Sequence, residues 1–122
     1  MEDQKREIDI AWAAGLFEGE GCVSIRKKIM QPSVNVVSTD LDVLIRFRDV
    51  VGFGTIYETH LRSRPSHHKR PYRWQVTSWP RTKAVYEMFK PYLCSRRCAR
   101  WEQVLAMSPS APQLSLIGFR HE

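Results

Sequence analysis

Apolar residues near the start of the chain recur at helical spacing. Ile8, Trp12, Leu16 and Phe17 share one side of an alanine-rich stretch, residues 8–19, with Asp9 placed to cap or charge its start and Gly19 and Gly21 to stop it. Alternation then takes over. Over residues 22–29, Val23, Ile25 and Lys27 point one way and Ser24, Arg26 and Lys28 the other, the mark of a half-buried strand. Pro32 marks a turn, and residues 34–39 form a second, β-branched strand. Thr39-Asp40 opens a second helix whose Leu41, Leu44, Ile45 and Phe47 recur at helical period as far as Gly52-Phe53-Gly54. Residues 55–60 and 71–79 are the third and fourth strands; in the latter Tyr72, Trp74 and Val76 alternate with Arg73, Gln75 and Thr77. Pro80 precedes a helix over residues 81–92 with Val85, Met88, Phe89 and Tyr92 facing inward, and a last helix spans residues 95–107.

The order α-β-β-α-β-β-α-α, without an internal repeat, predicts an α+β fold. Two antiparallel hairpins build a four-stranded sheet, helices cover its apolar face, and the polar face stays open. That open face carries Arg, Lys, Asn, Gln, Ser, Thr and Tyr, the side chains that read base edges and phosphates. The basic link of residues 61–70 reads as a hairpin tip. Residues 1–107 form the expected domain, and residues 108–122, with Ser-Pro-Ser-Ala-Pro, a loosely held tail.

Composition sharpens the picture. A chain of 122 residues fits one domain, and 43% hydrophobic with 26% charged residues supplies an ordinary core. The net charge of +6 and a pI near 9.5 favour a polyanionic partner. Cys22, Cys94 and Cys98 make no disulfide framework and read as reduced thiols inside a cell. Cys94 and Cys98, at i,i+4 with His67 and His68 upstream, raise a zinc site, but structural zinc favours tighter, matched pairs; two small buried side chains on one helix face is the preferred reading. No apolar run approaches a membrane span, and the first nine residues are charged, so a soluble intracellular protein is expected. Thirteen Arg against six Lys point to a GC-rich genome, a bacterium or its phage before an organelle.

The chemistry lies in Ala13-Ala14-Gly15-Leu16-Phe17-Glu18-Gly19-Glu20-Gly21. Ala11, Gly15 and Gly19 fall at i, i+4 and i+8, which strips one helix face of side chains and lets another backbone approach. The same small residues would equally suit a helix–sheet contact within the chain. Glu20 stands at the C-terminal end of that helix, where the dipole disfavours an anion. A divalent cation held there by the carboxylate and a main-chain carbonyl makes the placement sensible; a solvated surface acid is the plainer alternative.

This stretch resembles the motif of the LAGLIDADG homing endonucleases, and the similarity runs on. Thr39-Asp40, the helix to Gly52-Phe53-Gly54-Thr55-Ile56, the strand Tyr72-Arg73-Trp74-Gln75-Val76 and the exit Pro91-Tyr92-Leu93 all look like the family's core, covering about residues 8–107. Ala13 departs from the motif's leucine, and Glu20 stands where its namesake has Asp, a change also found in active relatives. The resemblance implies the saddle-shaped αββαββα(α) fold and site-specific cleavage of double-stranded DNA, one phosphodiester per strand, by a mobile-element enzyme of the kind carried by introns. It implies a homodimer, because the chain has one motif, with Ala11, Gly15 and Gly19 at the contact. It implies Mg2+ held by Glu20 and the Gly19 carbonyl, with Thr39 ordering water and Arg96 or Arg97 stabilising charge.

On this reading the polar face contacts DNA through Ser24, Arg26, Lys28, Asn35, Tyr57, Thr59, Arg73, Gln75 and Thr77. Arg62, Arg64, His67, His68, Lys69 and Arg70 of the tip would contact phosphates, and a dimer would read a partly palindromic site. Two alternatives remain open. One is a non-catalytic regulator or intron maturase on the same scaffold, against which the intact Glu20 weighs. The other is a generic basic α+β RNA-binding domain, which would be monomeric and need no divalent ion.

Overall fold

A computed structural model describes residues 1–59 and 70–109. Along them run α1 (Glu2–Glu20), β1 (Gly21–Arg26), β2 (Gln31–Ser38), α2 (Leu41–Val51), β3 (Thr55–Glu58), β4 (Tyr72–Val76), α3 (Trp79–Phe89) and α4 (Ser95–Leu105), with a 3-10 turn at Lys90–Tyr92. The α+β order is the one expected. The sheet is antiparallel in the order β1-β2-β4-β3, so the second strand of each hairpin lies at the centre.

Register decides which side chains meet. Val23 pairs with Val34, Val36 with Trp74, and Ile56 with Trp74, on the side the helices cover. Cys22 pairs with Asn35, Asn35 with Gln75, and Thr55 with Gln75, on the other. A slip of one residue would exchange the two sets, so burial of the valines and Trp74 fixes the polar row as well.

The covered side is an aromatic chain. Trp74 meets Phe47 of α2 edge-on at 4.8 Å, Phe47 meets Phe89 of α3 at 5.8 Å, and Phe89 meets Phe17 of α1 at 5.9 Å. Phe17 then meets Trp101 of α4 at 5.4 Å, which stacks on Tyr86 at 5.4 Å. Four helices are thus tied to one sheet face by rings, each pair adding about 0.5–1.5 kcal/mol beyond its buried area. Burial, and then the hydrogen bond to Glu102, push the Tyr86 hydroxyl well above its usual pKa, so it stays a donor.

Several elements depart from the sequence reading. Helix α1 begins at Glu2, and Asp9 is interior to it rather than its cap. Residues 1–7 are all exposed and, after Met1, polar, so no apolar period marks them; they are good helix formers with Glu2 and Asp3 in the first turn, and Ile8, read into the apolar period, is exposed as well. Strand β1 stops at Arg26, leaving Lys27, Lys28 and Ile29 in an exposed turn. Pro32 lies inside β2, paired with Ile25; β4 joins only from Val34 onward, so no central ladder bond is lost. Strand β3 ends at Glu58 and β4 at Val76, short of the ranges expected. Leu41 and Ile45 are exposed, and α2 buries Leu44, Phe47, Val50 and Val51. Helix α3 takes Pro80 into its first turn, where a missing N–H costs nothing, and Ser78 caps it by accepting from the Arg81 N–H. Tyr92 is exposed too. Cys94 is exposed at the N-cap of α4 and Cys98 half-buried, not the buried pair expected.

Residues 60–69, with Arg62, Arg64, His67, His68 and Lys69, lie outside the described residues, as do residues 110–122 of the tail. Among the described residues no helix is long and apolar enough to cross a membrane.

Candidate active site and nucleic-acid interface

The open sheet face carries a connected polar row. Tyr57 Oη donates to Gln75 Oε1 at 3.1 Å, Gln75 Nε2 donates to Ser33 Oγ at 2.9 Å, and Asn35 Nδ2 donates to the same Oγ at 3.3 Å. The row crosses β3, β4 and β2. Ser24 and Arg26 continue the face on β1, opposite Ser33 and Gln31, and Arg73 sits between Tyr57 and Val37. The Arg73 Nε is buried without a hydrogen-bond partner among the described residues.

Of the expected contacts, Ser24, Arg26, Asn35, Tyr57, Arg73 and Gln75 fall on this face. Lys28 is in the exposed turn instead. The Thr59 hydroxyl donates to the Pro71 carbonyl at 3.1 Å, which occupies its proton. Arg70 pairs with Glu58 at 3.4 Å, an exposed and therefore weak bridge. Thr77, just past β4, lines an open depression of about 430 Å³ with Thr55, Tyr57, Gln75 and Arg81. Cys22, Gln31, Ser33 and Thr55 share the face and were missed. Extending the inward alternation of Val34 and Val36 backwards through Pro32 would have found Gln31 and Ser33.

At one end of the sheet, α1 stops. Its last residue, Glu20, is exposed; Gly21 follows in extended conformation, its N–H on the Phe17 carbonyl. A Cβ at Gly21 would overlap the Phe17 ring, so only glycine lets α1 turn into β1 over that ring. Helix α4 grips this junction. Arg97 donates to the Glu18 carbonyl at 3.0 Å and the Gly21 carbonyl at 2.7 Å, and Arg100 to the Val23 carbonyl at 3.0 Å. The Glu18 carboxylate accepts the Cys94 N–H at 2.9 Å, an anion at the N-terminus of α4 where the dipole favours it. Arg96 is exposed and has no hydrogen-bond or ion-pair partner among the described residues. Gly21 pairs with Val36, so the β2 exit carrying Thr39, itself exposed, lies at the same end of the sheet as Glu20.

The donors at that end suit a hard cation. The carbonyls of Glu18 and Gly21 are taken by Arg97, whereas α1 ends before Gly19 reaches an i+4 partner within the helix. A carboxylate and a main-chain carbonyl are the oxygen ligands Mg2+ takes. Among the described residues no three His, Cys, Asp or Glu side chains gather to hold a metal, so Glu20 and the Gly19 carbonyl make up only part of a coordination shell there.

The small-residue stripe faces outward. Gly15 and Gly19 are exposed, a Cβ built at either meets nothing within 4 Å, and Ala11 is half-buried. The contact with the rest of the chain is made by Ala13, Ala14 and Phe17 on the opposite side. At the stripe's far end Ile8 is 65% exposed.

No protein-family model matches the chain, and no curated protein matches it in sequence. Solved structures match its shape. The homing endonuclease I-CvuI, in complex with its target, superposes with a TM-score of 0.63 at 16% identity, over 98% of this chain and 87% of that one. The homing endonuclease I-TnaI gives 0.59 at 19% identity over 88% and 82%. The LAGLIDADG meganuclease I-AabMI, bound to uncleaved DNA, gives 0.62 at 21% identity, but this chain spans only 39% of its length. The protein described here has the LAGLIDADG homing endonuclease fold.

Proposed function

We propose that the chain is a site-specific, magnesium-dependent DNA endonuclease that acts as a homodimer. One observation carries the reading: an exposed carboxylate, Glu20, ends a helix whose outer face is bare, at the end of a polar sheet face. Two copies apposed through Ala11, Gly15 and Gly19 bring two Glu20 carboxylates together and complete what one chain leaves partial. The likeness to endonucleases bound to DNA supports the same assignment.

Glu20 and the Gly19 carbonyl hold the cation. Bound Mg2+ supplies polarisation of the scissile phosphate, an activated water and charge neutralisation on the leaving oxygen. Thr39 positions water by its hydroxyl. Arg96, unpaired, offers a permanent positive charge to the phosphate; Arg97, spent on two carbonyls, positions Glu20 instead. Ser24, Arg26, Asn35, Tyr57, Arg73, Gln75 and Thr77 read the duplex, and the tip residues Arg62, Arg64 and Lys69 neutralise phosphates. A two-fold dimer reads a partly palindromic target and cuts each strand once.

The test is cleavage of a plasmid library bearing randomised and genomic sites, with Mg2+, with EDTA and with Glu20→Gln. Linearisation that needs Mg2+ and vanishes in the variant establishes the activity. Specific binding without cutting would instead make this a non-catalytic regulator or maturase.

A further inference from the structure

Ser33 is 9% exposed, yet its hydroxyl oxygen takes two side-chain amides from the polar face. A serine oxygen has two acceptor positions. Gln75 Nε2, at 2.9 Å, and Asn35 Nδ2, at 3.3 Å, fill both. Both amides are thereby anchored at their nitrogen ends to one fixed point on β2. On the far side Tyr57 Oη donates to Gln75 Oε1, which holds the Gln75 amide in the same sense from β3. Each amide is left with one N–H and oxygen lone pairs that no group of the chain uses among the described residues. Asn35 and Gln75 are register partners, so the two free donor–acceptor pairs lie side by side on neighbouring strands.

A donor beside an acceptor at amide spacing matches one base edge in the major groove, the N6–H and N7 of adenine. Guanine offers two acceptors there and cytosine a donor alone. We propose that Ser33 is a specificity-determining positioning residue, which locks Gln75 and Asn35 to read adjacent A·T pairs in each half-site. This rests on the sheet face reading DNA. Ser33 itself is too enclosed to reach a base; it acts through the two amides. Without it neither amide is anchored to the sheet, and an amide free to swing out of the base plane loses the paired donor–acceptor alignment that adenine requires.

The arrangement makes a patterned prediction. Selection from a randomised duplex DNA library, with the full chain, yields a motif with adenines at two neighbouring positions per half-site. Ser33→Ala lowers the enrichment of adenine at both positions by roughly five- to tenfold, the lower part of the range for losing one bidentate contact. Tyr57→Phe lowers it at the Gln75 position alone, because Tyr57 does not touch Asn35. Ser33→Thr, which keeps the hydroxyl, restores both. A Ser33→Ala motif unchanged from wild type, or weakened evenly at every position, overturns the proposal while DNA reading stands. A wild-type chain that enriches no motif overturns the DNA reading itself and this inference with it.

Discussion

Arg97 brackets Glu20: its guanidinium holds the carbonyl two residues before it and the one just after it, at 3.0 and 2.7 Å. The turn that presents the carboxylate is therefore set from α4, with the guanidinium also 5.9 Å over the Phe17 ring. Arg97→Ala removes two charge-assisted bonds and strands two carbonyls, a cost of about 2–4 kcal/mol. Arg96→Ala, by contrast, changes stability by less than about 0.5 kcal/mol, as exposed sites do. Thermal or urea unfolding of the two variants checks this directly. On the proposed function both lose cleavage, but only Arg96→Ala does so with an unaltered melting curve. Equal destabilisation by the two would remove the distinction drawn between them.

Gly54 is the tightest backbone position. Its φ is +112°, and a Cβ there would overlap the indole nitrogen of Trp74, which donates to the Phe53 carbonyl at 2.9 Å. Gly52, φ +97°, has open space around it. Gly54→Ala is expected to cost more than about 3 kcal/mol, strain and overlap together, and Gly52→Ala about 1–2 kcal/mol, strain alone. Chemical denaturation of both variants gives the comparison.

The sequence shows whatever its apolar period reports, and little besides. The strand faces were legible because Val23, Ile25, Trp74 and Val76 alternate with polar neighbours. The end of α1 was legible because glycines crowd it. The start of α1 was not, since residues 1–7 are exposed and bury nothing to make a period. Leu41 and Ile45 were read into the helical period with Leu44 and Phe47, yet they lie on the exposed side of α2. Ser33 was lost because Pro32 looked like a turn, though proline sits where β2 lacks its second neighbour. In the candidate site the motif located Glu20, Gly19 and the stripe. Which of Arg96 and Arg97 turns inward was not legible, because neighbouring helical residues differ by about 100° in direction and only packing decides between them.

Thr82 is fully buried on α3, and its hydroxyl has no partner among the described residues. A buried, unsatisfied hydroxyl costs about 1–3 kcal/mol, and valine has nearly the same shape. Thr82→Val is expected to stabilise the fold by about 1 kcal/mol and, on the proposed function, to leave DNA binding unaltered. A lower denaturation midpoint for this variant would mean that the hydroxyl is satisfied in solution.

The dimer prediction rests on opposite effects at one position. Gly15 is exposed in the middle of α1, and nothing lies within 4 Å of a side chain added there. Within one chain Gly15→Leu therefore replaces a poor helix former by a good one, a gain of about 1 kcal/mol in α1. Across a two-fold contact the same leucine forces the two α1 backbones apart, because close helix approach needs small residues at the crossing. Sedimentation velocity is expected to show wild type as a dimer and Gly15→Leu as a folded monomer, with helical circular dichroism retained. On the proposed function cleavage is lost with the dimer, since each Glu20 then lacks its counterpart. If Gly15→Leu sediments like wild type, the stripe is not the contact, and the two Glu20 carboxylates would have to be brought together another way.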